Sequence, residues 1–254
     1  MNNDSKYKYL IDKALKLRQD TFKAFIEHGE AHLGGSFSII EILLALHEEV
    51  LKKEDKFILS KAHASIPYCV YLREKGFNTT ISTHLEIDVE NNIHCTTGSL
   101  GHGLPISVGM AFARKLQNKP GNIYVMISDG ECQEGTTWES LLIAAKHKLD
   151  NLIVMIDYNK IQALCSLEDA LPLDDLAAKF KAFNWNTIEI EDGHSFNEIV
   201  PVLQQANLSL KPCAFIFNTI KGKGIKPFEG DPAWHAKKIK GKEMEIGKKE
   251  LGLL

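Results

Sequence analysis

Two short apolar runs, Asn122-Ile-Tyr-Val-Met-Ile127 and Leu152-Ile-Val-Met-Ile156, stop abruptly at small polar residues. Runs that are apolar at successive positions predict buried strands of a parallel sheet covered on both faces. Between them, from Thr136 to Lys148, apolar residues return at helical spacing, and Trp138, Leu141, Leu142 and Ala145 are expected on one face. Strand, turn, helix and strand form the unit of a doubly wound α/β fold, in which ligands bind beyond the carboxyl ends of the strands. Those ends carry Asp129-Gly130 after the first run, and Asp157 and Asn159 after the second.

An aspartate and an asparagine at one sheet edge offer an anionic and a neutral oxygen. With one main-chain carbonyl they make three oxygen donors on one side of a hard cation. Mg²⁺ takes about six oxygens and commonly completes its shell from phosphate and water. Gly130 permits close main-chain approach, and the N-terminus of the following helix adds a field that favours anions. Each residue alone also fits a plainer role, a D-G turn after one strand and a loop asparagine after the next.

At 254 residues the chain is long enough for one large α/β domain spanning 1–254. Its 44% hydrophobic and 25% charged content are ordinary for a globular protein, and a net charge of −3 gives no reason to expect nucleic acid or an anionic membrane surface. No apolar run reaches the ~18 residues that a membrane span needs. The opening Met-Asn-Asn-Asp-Ser-Lys lacks the apolar region of a signal peptide, so a cytoplasmic protein is expected. Cys69, Cys95, Cys132, Cys165 and Cys213 are odd in number and form no C-x-x-C pair. They read as buried thiols in a reducing compartment.

Other segments follow the same logic. A helix is expected over residues 5–28, with Leu10, Ala14, Leu17, Thr21, Ala24 and Phe25 along one face. Glu30 to Ser36 reads as a glycine-bounded loop holding His32, and a helix follows from about 38 to 50, capped by Ser36 or Ser38. A short strand begins at Asp55 and runs into polar residues that end at His63, ahead of a helix over 64–75. Residues 76–105 are loop-rich, and a helix is expected over about 106–118. Later come a less buried strand at Asn186–Ile190, a turn at Asp192-Gly-His194, a helix over 196–210 and a buried strand at Cys213–Thr219. The basic turn Lys221-Gly-Lys-Gly224 suits a phosphate as well as it suits solvent. The lysine-rich tail reads as a solvated closing helix.

The stretch from Ser128 to Ile161 resembles the thiamin diphosphate fingerprint, G-D-G followed by an asparagine after a helix and a strand, with Ser128 in place of the first glycine. Among those families, Glu131-Cys-Gln-Glu-Gly-Thr-Thr-Trp-Glu139 is most similar to transketolase. Further segments agree in order. Ala31-His-Leu-Gly-Gly-Ser36 resembles that family's G-H-P-G segment with Leu33 for proline, and Asp55 to Ala64 resembles its D-R-F-I-L-S-K-G-H-A. Thr83-His-Leu-Glu86 is similar to G-H-P-E with two replacements, and Thr96 to Gly103 is similar to T-T-G-S-L-G-H-G. Asp192-Gly-His194, Thr219 to Ile225 and Trp234-His235 complete the series.

The resemblance implies the diphosphate-binding (PP) module, a mostly parallel sheet of five or six strands with helices on both faces. It implies thiamin diphosphate and Mg²⁺, with Asp129, Asn159 and the Ile161 carbonyl as metal ligands. Gly98, Ser99, Leu100, Gly101, Gly130, Glu131, Asn159, His63 and Lys221 are implied to lie against the cofactor. His32, His63, His84 and His235 are implied to face a sugar. Glu134 joins the catalytic set through an acidic cluster, shared with Glu139, at a subunit interface. His94 reads as a surface residue, and His102 and His194 receive no role.

The implied activity is transfer of a two-carbon ketol unit from a ketose phosphate to an aldose phosphate. The glutamate that activates the cofactor belongs to a separate pyrimidine-binding (Pyr) module, which does not fit within this chain. The resemblance therefore implies the N-terminal subunit of a split transketolase, working with a C-terminal subunit in a two-plus-two heterotetramer. Two other readings stand beside it. One is the α subunit of a 2-oxo-acid dehydrogenase that uses thiamin diphosphate. The other is a non-catalytic subunit that binds thiamin diphosphate or only a partner. The sugars themselves are not legible.

Overall fold

The two apolar runs become neighbouring parallel strands, β2 (Ile123–Ser128) and β3 (Leu152–Tyr158). Their register sets Ile123 opposite Leu152 and Ser128 opposite Asp157. The computed structural model describes residues 6–29 and 32–254. Ser5 of the expected first helix and Glu30-Ala31 lie outside the described residues. The remaining strands are β1 (Lys56–Leu59), β4 (Asn186–Ile190) and β5 (Cys213–Asn218). Among the described residues they form one five-stranded sheet in the order β1-β2-β3-β5-β4, parallel throughout.

The helices are α1 (Lys8–His28), α2 (Leu33–Phe37), α3 (Ile40–Glu49), α4 (Ser65–Glu74), α5 (Gly103–Leu116), α6 (Gly135–Lys146), α7 (Leu167–Ala170), α8 (Leu176–Ala182), α9 (Phe196–Gln205) and α10 (Lys242–Glu250). Alternation along the strands divides the core in two. Tyr124, Met126, Ile153, Met155, Phe215 and Phe217 join α1, α3, α4 and α9 on one face. Ile123, Val125, Ile127, Val154, Ile156 and Ile216 join α5, α6 and α8 on the other. Central strands therefore need apolar residues at every position, whereas edge strand β4 exposes Asn186 and Glu189.

Several expectations change in detail. The glycine-bounded segment after His32 is the short helix α2, with Gly34 and Gly35 buried inside it. Space is tight for side chains: a Cβ on Gly34 would lie 2.8 Å from the Lys221 side chain, and one on Gly35 would lie 3.1 Å from His63 Nε2. Neither Ser36 nor Ser38 caps α3, whose N-cap is Ile39; Ser38 Oγ instead donates to Asp157 at 2.7 Å and lies 3.0 Å from Gly35 O. The helix expected from Thr136 to Lys148 is α6, which starts at Gly135, and Gly130–Gln133 before it form a 3-10 turn. On α6 the buried face is Thr137, Ser140, Leu141 and Ala144, and Leu142 is exposed. The tail helix α10 is docked and not merely solvated: Gly247 abuts the Phe22 ring, and Gln19 Nε2 donates to Leu251 O at 2.8 Å. All five cysteines are free, and four are buried. Among the described residues no helix is long and apolar enough to cross a membrane.

Candidate active site

The carboxyl ends of β1, β2, β3 and β5 open onto one edge, and the polar residues collect there. Asp129 follows β2, is 3% exposed, and accepts from its own neighbour Gly130 N at 2.8 Å and from Lys160 N at 2.7 Å. The second bond requires the chain after β3 to turn back. Lys160 does this with φ 64°, a left-handed conformation that is costly for a residue with a Cβ. The turn sets Asn159 and Ile161 on either side of Lys160 and wraps Asp129 with main chain. Burial raises the Asp129 carboxyl to about 6, with the neighbouring Asp157 charge adding to the effect.

Asp157 is fully buried and collects four donors. Ser38 Oγ donates at 2.7 Å, Asn159 Nδ2 donates at 3.0 Å, and Lys61 Nζ and Thr219 Oγ1 are also bound. Burial opposes its charge, but Lys61, Thr219 and Ser38 together outweigh that cost and lower its pKa. Ser38, Lys61 and Thr219 come from three different segments, so this one carboxylate ties the α2–α3 corner, the end of β1 and the end of β5 to β3. Buried ion pairs of this kind survive only when further hydrogen bonds satisfy both partners, and here Lys61 also donates to Gly35 O at 3.0 Å.

Glu131 is also fully buried. It accepts from Ser60 Oγ, from Gly101 N at 3.0 Å and from Ser128 N at 2.9 Å. Both carboxylate oxygens are thus engaged by protein donors. Glu131, expected against the cofactor, braces the Gly101 turn with its carboxylate. Gly101 has φ 76°, and a Cβ there would strike Glu134 at 2.6 Å. A Cβ on Gly98 would meet His84 at 2.5 Å, and one on Gly103 would meet Ser60 at 2.3 Å. Protein side chains therefore crowd these glycines, beside the cofactor contact that the sequence suggested. Gly98 and Ser99 line a surface groove with His84 and His102. Leu100 and Glu134 are exposed, as is Glu139.

Three expected histidines converge. Ring centroids of His32 and His63 are 5.7 Å apart, those of His32 and His235 are 5.7 Å apart, and those of His63 and His235 are 5.4 Å apart. Burial holds His63 well below its ordinary range, with Lys61 and its imidazole neighbours adding to the effect. Burial and the Lys221 charge bring His235 down to about 4. Both are therefore neutral imidazoles near pH 7, able to accept a proton or share one. His84 is exposed and bonded to Thr83 Oγ1 at 3.3 Å, and it makes no ring contact with the three. His94 is half-buried with Asn92, not a free surface residue.

Lys221 is 2% exposed and donates to Ile161 O at 2.9 Å and to Gln162 O at 2.8 Å, with His235 Nδ1 at 3.2 Å. Its ammonium stands as a cation beside the carbonyl expected to bind metal. Among the described residues no cluster of three His, Cys, Asp or Glu side chains could hold a metal. The donor set of Asp129, Asn159 Oδ1 and Ile161 O is all oxygen, and it fits a hard cation completed by phosphate. Three residues without an expected role stabilise the loop that carries Lys221. Arg18 pairs with Glu41 at 2.6 Å and donates to Lys223 O at 2.9 Å. His194 reaches Glu41 at 3.0 Å, and its Nε2 accepts from Ile220 N at 2.8 Å. The D-G-H turn was the visible signal for His194. Arg18 and Glu41 lie inside amphipathic helices and carried none.

Residues 16–254 match the family described as transketolase, thiamine diphosphate binding domain. The chain is 36% identical over 252 residues to the 6-deoxy-6-sulfo-D-fructose transketolase subunit of Clostridium sp. (strain MSTE9), covering 91% of each. It is 36% identical over 241 residues to an apulose-4-phosphate transketolase subunit of Actinobacillus succinogenes, covering 87% of each. Mouse transketolase is 34% identical over 263 residues, but the match spans 93% of this chain and only 41% of that protein. Among solved structures, transketolase from Campylobacter jejuni superposes with a TM-score of 0.80 at 27% identity, over 94% of this chain and 43% of the other.

Proposed function

We propose that this chain, which belongs to the family of transketolase thiamine diphosphate-binding domains, is the N-terminal subunit of a split transketolase that moves a two-carbon ketol unit between sugars. The observation that carries this reading is the convergence of Asp129, Asn159, Ile161 O and Lys221 beside three histidines at one sheet edge. Residues 1–254 act as one PP-type domain. Asp129, Asn159 and Ile161 O hold Mg²⁺, and Lys221 meets the diphosphate. Gly98, Ser99, Leu100, Gly101, Gly130 and His63 form the cofactor wall.

Thiamin diphosphate, when bound, supplies the carbon nucleophile that breaks the bond beside a ketose carbonyl. The chain's own residues handle protons and charge. His32, His63 and His235 face the sugar, where neutral imidazoles donate to its oxygens and relay protons. Lys221, which has no carboxylate within ion-pair distance among the described residues, supplies a positive charge that favours phosphate groups and oxygen atoms that gain negative charge. His84, at the outer groove, contributes on the approach side.

The second wall and the activating glutamate come from a C-terminal subunit carrying the Pyr module. Relatives that this chain matches along most of their length are named as subunits, and the mouse enzyme is more than twice as long as the matched stretch. Glu134 and Glu139 are exposed, and Leu142 and Ile143 of α6 are 59% and 50% exposed, a surface suited to burial against that partner. Such sites occur in symmetric pairs, so the assembly is two of each chain in the cytoplasm. The test is a ketol-transfer assay on this chain, on its partner and on the mixture, with mass measured by light scattering. Turnover only in the mixture, at a two-plus-two mass, supports the reading; robust turnover by this chain alone overturns it.

A further inference from the structure

We infer that Asp157 is a positioning residue that fixes which end of the Asn159 amide faces the cation. The inference rests on the proposed cation site. A carboxamide is nearly symmetric in shape, so packing alone does not decide whether oxygen or NH₂ points a given way. Only the oxygen can bind a cation. Asp157 settles the choice because the side chains bound to it are all donors: Ser38 Oγ, Lys61 Nζ, Thr219 Oγ1 and Asn159 Nδ2. A carboxylate surrounded by donors and paired with an ammonium has no proton to give, so Asn159 must present its NH₂ to it. The amide oxygen is then turned away, where Ile161 N donates to it at 3.1 Å and uses one of its two lone pairs. The other lone pair is left for the cation.

Lys61 has a part in this arrangement. It neutralises Asp157 within a fully buried pair, so the fold tolerates the carboxylate that orients the amide. Partners behind a metal ligand commonly control affinity in this way, and their loss costs about 10–100-fold.

The test is titration of the full chain with Mn²⁺ and thiamin diphosphate, with free Mn²⁺ read by electron paramagnetic resonance and heat by calorimetry. In Asp157→Asn the new amide can offer either an acceptor or a donor to Asn159, so the orientation is no longer imposed. Mn²⁺ affinity should fall by about 10–100-fold. Because that variant leaves Lys61 without its counter-ion, the double variant Lys61→Met/Asp157→Asn removes both charges together and should show the same loss in a folded chain. Thr219→Val removes a different donor from the same carboxylate and should leave Mn²⁺ affinity unchanged. Equal affinity in the wild type and in the folded double variant overturns the inference while the cation site stands, as does an equal loss in Thr219→Val. A wild-type chain that takes up no Mn²⁺ with thiamin diphosphate overturns the site itself, and the inference with it.

Discussion

Lys221 donates from its buried ammonium to the main-chain carbonyl of Ile161 at 2.9 Å. A positive charge already sits where a cation ligand is expected, and burial together with the Lys61 charge lowers its pKa to about 8. Two opposite effects follow for Lys221→Met. Loss of a charge-assisted hydrogen bond to the diphosphate should weaken thiamin diphosphate by ~1.5–3 kcal/mol, or roughly 10–150-fold. Loss of a like charge beside Ile161 O should let Mn²⁺ alone bind more tightly. Calorimetry with each ligand separately checks both signs, and a parallel fall in the two affinities would mean that Lys221 only shapes the loop.

Asp129 supplies the one anionic oxygen of the proposed cation site. Asp129→Ala should remove cation-dependent cofactor binding, with a loss beyond the about 10–100-fold expected for a partner behind a ligand. The fold should survive, because Asp129 bonds main-chain donors of adjacent loops and, among the described residues, no buried cation depends on it as an ion-pair partner. Normal thiamin diphosphate binding by this variant in saturating Mg²⁺ would remove Asp129 from the site.

For His32, His63 and His235, alanine substitution should lower kcat by ~10²–10⁴-fold where the residue acts as an acid or base. Cofactor affinity should change little for His32 and His235, and should also fall for His63, which lines the proposed cofactor wall. The imidazole of His235 should titrate near 4 by NMR. In Lys221→Met its midpoint should rise, but not fully to 6.5, because burial is the larger cause and remains. Full activity in all three alanine variants of the assembled enzyme would make these histidines structural.

The sheet was legible because unbroken apolar runs have few alternatives, and Asp129 and Asn159 were legible because each follows such a run at the edge where ligands bind. The glycines were visible, but not their reasons. Gly98, Gly101 and Gly103 are small because His84, Glu134 and Ser60 crowd them, and those contacts are long-range in sequence. Glu131 reads in sequence like a member of a ligand turn, yet its carboxylate is directed into the core by Ser60 and by main-chain donors. The Lys61–Asp157 pair joins residues whose partnership depends on strand order. Periodicity reports which face of an element is buried. It carries no information on which buried charge meets which.

Glu41 is such a buried charge, and it bears on stability. It is 6% exposed, paired with Arg18 at 2.6 Å and bonded to His194 at 3.0 Å. Burial opposes its charge, but Arg18 and His194 outweigh burial and lower its pKa from 4.5 to about 2. The folded pKa lies below the unfolded one, so the stabilisation is fully present above 4.5 and is lost as the pH falls toward 2. That difference corresponds to about 3 kcal/mol. Glu41→Gln should therefore be less stable than wild type by about 3 kcal/mol or more at pH 7, since Arg18 also loses its counter-ion. The gap should narrow as the pH falls below 4.5, as urea unfolding at pH 7, 4 and 3 would reveal. Arg18 and His194 also hold the main chain at Lys223 and Ile220, on either side of Lys221. The same variant should then weaken thiamin diphosphate binding at pH 7, although Glu41 lies behind the site. A stability gap independent of pH would show that Glu41 contributes by packing and not by charge.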